Sequence, residues 1–190
     1  MLDEVRSFAA TCTACALHGG RINPVFDKGN SKAKIMICGM VPAYDENLAG
    51  IPFVGRAGKL LDIILKEVKL TYDDIYITNL VKCFLRAGKR LERDWIDSCH
   101  PFLIQQIQII KPKVIITLGA DASAEVTEID APIGKLRGKV FYRPDNIIVV
   151  PTYHPSYLLR KGGEKSPDYP KVIGDFELAK RAKNEDAMVR

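Results

Sequence analysis

At 190 residues, with 47% hydrophobic residues and a formal net charge of +5, the chain is long enough to bury a core and too apolar to be natively disordered. No apolar run reaches the roughly 18 residues that a membrane-spanning helix needs. The modest basic excess permits a polyanionic partner without requiring one.

The opening MLDEVRSFAATC carries acidic residues and no long apolar core, which predicts a cytoplasmic protein without a signal peptide. Cys12-Thr13-Ala14-Cys15 follows. With Cys38, Cys83 and Cys99 the cysteines are too few and too spread for a secreted disulfide scaffold, so metal binding or catalysis is the better reading. A thioredoxin-type pair needs a strand before it, and nothing before residue 12 reads as one. Four thiolates suit zinc or an iron–sulfur cluster, and spacing alone does not choose between them. Cys38 ends an apolar run and reads as a small buried hydrophobe.

Four short apolar runs predict strands, at 34–38, 75–78, 113–118 and 147–151. They are nearly continuous in hydrophobicity, as in strands covered on both faces of a parallel sheet. Between them, Leu60, Leu61, Ile64, Leu65 and Val68 share one face of a predicted helix over 57–69. Ile96, Cys99, Leu103, Ile107 and Ile110 do the same over 92–110, with Pro101 kinking that helix or lying near its start. A last helix falls around 174–183. The order predicts one domain over residues 1–190, a three-layer α/β/α fold with a central four-stranded parallel sheet.

The polar and glycine-bearing residues fall just past the strand ends: Gly39 to Phe53, Asn79, Gly119-Ala120-Asp121, and Thr152 to Ser156. In open parallel sheets that edge forms the ligand crevice, so four loops predict one site. Basic residues gather nearby at Arg86 to Arg90 and at Arg160-Lys161. Gly50 to Ala57 falls short of a phosphate loop: Arg56 and Ala57 stand where Lys and Ser or Thr are needed, and Pro52 lacks an N–H donor. His154-Pro155-Ser156 is no hydrolase triad, since no G-x-S-x-G elbow is present. Taken together, an aromatic plate (Phe53), an amide (Asn79), carboxylates (Asp45, Glu46) and a histidine suit a flat heterocycle. Basic loops around them suit a phosphate backbone.

These residues resemble the family-4 uracil-DNA glycosylases, the iron–sulfur type. The resemblance runs from Cys12 to the last helix. It rests on Cys12-x-x-Cys15, Gly50-x-Pro52-Phe53-Val54-Gly55-x-Ala57-Gly58, Ile77-Thr78-Asn79-Leu80-Val81-Lys82-Cys83, Cys99, Leu118-Gly119, Leu136-Arg137-Gly138, and Thr152-x-His154-Pro155-Ser156-Tyr157-Leu158-Leu159-Arg160. It implies that Cys12, Cys15, Cys83 and Cys99 ligate a [4Fe–4S] cluster with a structural role. It implies that Gly39, Val41, Phe53 and Asn79 hold a flipped uracil, Phe53 by stacking and Asn79 by pairing. His154 would donate to uracil O2, and Glu46 would steady the sugar or position water. Ser156, Leu158 and Arg160 would meet DNA, with Leu158 the wedge that refills the base stack. The implied partner is uracil-containing DNA, single- or double-stranded, met by a monomer.

The first motif departs from the family's G-E-A-P-G. Here Gly39-Met40-Val41-Pro42-Ala43 lacks the glutamate and is closer to the family-5 pattern of broader base specificity. The expected function is a monofunctional glycosylase that leaves an abasic site. Two alternatives are a catalytically weak DNA-binding homologue in a replication or repair assembly, and a broader-specificity, family-5-like enzyme.

Overall fold

The computed structural model describes residues 1–184. Its helices are α1 (Leu2–Thr11), α2 (Tyr44–Ala49), α3 (Arg56–Glu67), α4 (Arg93–Ile110), α5 (Ala120–Thr127), α6 (Ile133–Leu136), α7 (Pro155–Arg160) and α8 (Tyr169–Asn184). Its strands are β1 (Lys28–Gly29), β2 (Ile35–Gly39), β3 (Ile75–Asn79), β4 (Val114–Leu118), β5 (Phe141–Tyr142) and β6 (Ile148–Thr152).

The sheet has six strands in the order β1-β3-β2-β4-β6-β5. The inner four are parallel, as the apolar runs predict. The prediction of a four-stranded, all-parallel sheet needs correction, because β1 and β5 pair antiparallel on the two edges. Each is two residues long and too short to carry a hydrophobic pattern.

Alternation along the inner strands divides the core. Ile35, Ile37, Ile75, Ile77, Val114, Ile116 and Val150 face one layer, where they pack with residues of α3, α7 and α8. Met36, Cys38, Tyr76, Ile115 and Val149 face the other, with α4 and α5. Cys38 is fully buried, and burial pushes its thiol up to about 12, in keeping with a hydrophobe's role. α4 runs unbroken through Pro101. Arg137 pairs with buried Asp175, whose carboxylate also accepts from Thr152 Oγ1 at 2.6 Å. That contact fastens α8 to the end of β6, beside the site.

Candidate active site

Four strand ends meet at one edge. Gly39 closes β2 opposite Asn79, which closes β3. The Gly119 N–H, just past β4, donates to the Thr152 carbonyl of β6 at 2.9 Å, two residues before His154. A side chain at Gly39 would overlap both Asn79 Oδ1 and the Phe53 ring, so this glycine lets the amide and the aromatic close over the strand end. The rings of Phe53 and His154 lie 6.0 Å apart, centre to centre. The sequence-predicted residues Gly39, Phe53, Asn79 and His154 are thus brought together.

Phe53 holds a left-handed backbone (φ 55°), an uncommon state for an aromatic residue and one that marks functional loops. The loop is over-determined. The Phe53 carbonyl lies where a side chain at residue 58 would stand, which accounts for Gly58 in α3. On the other side Glu46 ties it down: Oε1 accepts from the N–H groups of Val54 (2.9 Å) and Gly55 (2.8 Å), and Oε2 from Ala43 (3.2 Å). Glu46 is 6% exposed and joins the Gly39–Ala43 loop to the Phe53 loop. Asp45, beside it, is exposed. Glu46→Gln must set an amide N–H₂ against at least one of these donors. We expect it to destabilise the fold by about 1–3 kcal/mol, read in denaturant melts.

Asn79 is 2% exposed, and its side-chain amide makes no hydrogen bond to another described residue. Its backbone is fixed instead. Buried Lys82 donates from Nζ to the Asn79 carbonyl (2.5 Å), Thr78 Oγ1 (2.8 Å) and Gln106 Oε1 (2.6 Å). The amide is left available while its position is held.

His154 caps α7. The Ser156 N–H donates to His154 Nδ1 at 3.1 Å, and Ser156 Oγ lies 2.8 Å from the same nitrogen. A neutral imidazole that accepts at Nδ1 carries its proton on Nε2. Burial, helped by the Arg160 charge, lowers the His154 pKa to about 4. Near pH 7 it is a neutral donor.

A groove of about 870 Å³ adjoins this cluster, lined by Tyr44, Asp45, Glu46, Arg56, Phe84, Arg86, Ser156, Leu159 and Arg160 among others. Ser156 and Arg160 stand where DNA contacts are expected. Leu158 does not. It is fully buried in the core beneath α7, whereas Leu159 reaches the groove. A wedge must enter a base stack from the surface, so the assignment to Leu158 is corrected. Tyr44 and Phe84 were missed; an aromatic beside Cys83 and ahead of the Arg86–Arg90 basic run was the available signal.

Cys12, Cys15, Cys83 and Cys99 line one separate cavity with Arg21, Val81 and Phe102. Burial pushes the Cys83 and Cys99 thiols up, against the pull of nearby donors. Arg21 donates to Cys83 Sγ and the Lys82 N–H to Cys99 Sγ, both at 3.3 Å. Among the described residues, no group of three or more His, Cys, Asp or Glu side chains is arranged to hold a metal ion. The loop bearing Cys83 is laced to the pocket: the N–H groups of Leu80 and Val81 donate to the Gly39 and Met40 carbonyls at 3.0 and 3.1 Å.

Residues 26–175 match the model of the Uracil DNA glycosylase superfamily. The chain is similar to a type-4 uracil-DNA glycosylase of Saccharolobus solfataricus, at 41% identity over 95% of this chain and 83% of the relative. A type-4 uracil-DNA glycosylase of Thermotoga maritima is 38% identical over 95% of this chain and 93% of its own length. A type-5 uracil-DNA glycosylase of Pyrobaculum aerophilum is more distant, at 26% identity over 71% of this chain and 66% of its own.

Proposed function

We propose that this chain, which belongs to the uracil-DNA glycosylase superfamily, extrudes uracil from DNA and hydrolyses its N-glycosidic bond to leave an abasic site. The observation that carries the reading is the meeting of Gly39, Phe53, Asn79 and His154 at one sheet edge, beside an arginine-lined groove. Extrusion costs a few kcal/mol of stacking and pairing, which the pocket offsets.

In this pocket Phe53 stacks on the base, and the uncommitted Asn79 amide pairs with its polar edge. Gly39 and Val41 line the slot. As the C1′–N1 bond breaks, its electron pair moves onto the uracil ring, and His154 Nε2–H stabilises the charge at O2. The sugar becomes cationic and takes up water, whose released proton passes through a nearby carboxylate to solvent, while the uracil anion departs and is protonated from solvent. Glu46 supplies negative charge on that side, and its backbone bonds set the spacing of the two loops. Exposed Asp45 is the nearby carboxylate to accept the water proton. No lysine is marked as a Schiff-base nucleophile, so the reaction ends at the abasic site. Incubation with matched oligonucleotides, followed by alkaline cleavage, should break strands at uracil alone. Intact strands would reject the reading and favour a DNA-binding homologue.

Cys12, Cys15, Cys83 and Cys99 would hold a [4Fe–4S] cluster. Their shared cavity and the donors on two sulfurs support it. When bound, the cluster would supply a covalent brace between the end of α1, α4 and the loop that follows Asn79. Anaerobically prepared protein should be brown with about four irons per chain; a colourless, zinc-loaded protein would contradict this.

The wedge passes to Leu159 on the groove rim. Leu159→Ala should slow excision from duplex far more than from single strands, where no stack must be refilled. Leu158→Ala should cost about 2–5 kcal/mol of stability instead and spare neither substrate at elevated temperature. Equal loss on both substrates for Leu159→Ala, measured at full folding, would remove the wedge from that position.

A further inference from the structure

We propose that Tyr44 and Phe84 form a stacking subsite for a base next to the extruded uracil, so that the groove grips unpaired DNA; the inference rests on the glycosylase reading of the same groove. Tyr44 opens α2 and is 60% exposed, although the neighbouring Glu46 is buried. Its ring meets that of half-buried Phe84 edge to face, with centroids 6.3 Å apart and planes at 71°. Neither ring joins a hydrophobic core cluster. Both line the groove together with Arg56, Arg86 and Arg160.

An exposed and a half-buried aromatic set among cations, in a groove leading from a base pocket, match the chemistry that binds single-stranded nucleic acid. Cations follow the backbone, and the rings take the bases by stacking, whatever their sequence. The edge-to-face contact with Phe84 buttresses the Tyr44 ring, which stays 60% exposed. Tyr44 lies one residue from Asp45 and two from Glu46, the carboxylates on the sugar side of the pocket. The base it meets is therefore a close neighbour of the extruded nucleotide. Three arginines favour a polyanion over a peptide as the occupant.

The test begins with affinity for a uracil-free single-stranded oligonucleotide, measured by fluorescence anisotropy. Tyr44→Ala should bind roughly 5- to 150-fold more weakly, the range expected for one lost stacking contact, and Tyr44→Phe should bind like the wild type. Excision is then measured on a single strand in which the bases flanking uracil are replaced by abasic spacers. The wild type should lose a similar factor in KM, and Tyr44→Ala should lose little more, because the two changes remove the same contact. Unchanged binding by Tyr44→Ala, or losses that simply add, would overturn the proposal and leave the rings to another partner. A wild type that binds single strands through Tyr44 but releases no base would sink the glycosylase reading and leave the stacking subsite standing. Normal excision with an indifferent Tyr44→Ala would do the reverse.

Discussion

Replacing His154 by alanine is expected to lower the single-turnover rate of uracil excision about 100- to 1000-fold, with little change in affinity for uracil-containing DNA. The donor matters mainly once charge has moved onto the leaving base. In the ground state the uracil oxygen is a weaker acceptor, so binding loses less than the rate does. The pH dependence follows from the same geometry. Burial and the Arg160 charge hold the His154 pKa near 4, against an ordinary value of 6.5. The neutral Nε2–H donor therefore persists from neutral pH down to about 4, and His154 gives the wild-type rate profile no acid limb near 6.5. The stability effect has a definite sign. Between pH 6.5 and about 4 the unfolded chain takes up a proton that folded His154 refuses, so this contribution is full above 6.5 and shrinks as pH falls. His154→Ala should flatten that part of the curve of melting temperature against pH.

Asn79→Ala is expected to cut the preference for uracil over cytosine by as much as about 10⁴-fold, chiefly by slowing uracil release. A site that spends hydrogen bonds on a polar edge rejects bases that leave those bonds unmade. Removing the amide deletes both the reward and the penalty. The melting temperature should move little, because the amide bonds to no other described residue and the backbone is held by Lys82. This separates Asn79 from Glu46, whose loss loosens two loops together. A variant that melts early and keeps its base preference would make Asn79 a packing residue.

Much of the site was legible because strands covered on both faces leave continuous apolar runs, and their ends mark the crevice. The runs at 34–38, 75–78, 113–118 and 147–151 each lie within a residue of the observed strands at both ends. The edge strands were not legible. Lys28–Gly29 and Phe141–Tyr142 pair through backbone groups and have no side-chain period to read. The phase of a short helix was equally hidden. α7 has six residues, and whether Leu158 or Leu159 faces outward depends on how His154 and Pro155 start it. Glu46 could be picked as a carboxylate of the site, but its bonds to Val54 and Gly55 depend on a loop that returns from nine residues away. Lys82 sits in a recognisable string, yet a lysine in sequence reads as solvated. Only the folded chain gathers three acceptors around its ammonium group.

The central claim is that one amide, presented at the end of β3, chooses the base. Its most direct test is Asn79→Asp, assayed for the base released from matched single strands that carry one uracil or one cytosine. A carboxylate accepts from the cytosine amino group but repels the uracil carbonyl that the amide N–H₂ would meet. The prediction is that the wild type releases uracil and no cytosine, whereas Asn79→Asp loses most uracil release and gains measurable cytosine release. Undiminished, uracil-only release by a folded Asn79→Asp variant would contradict the claim.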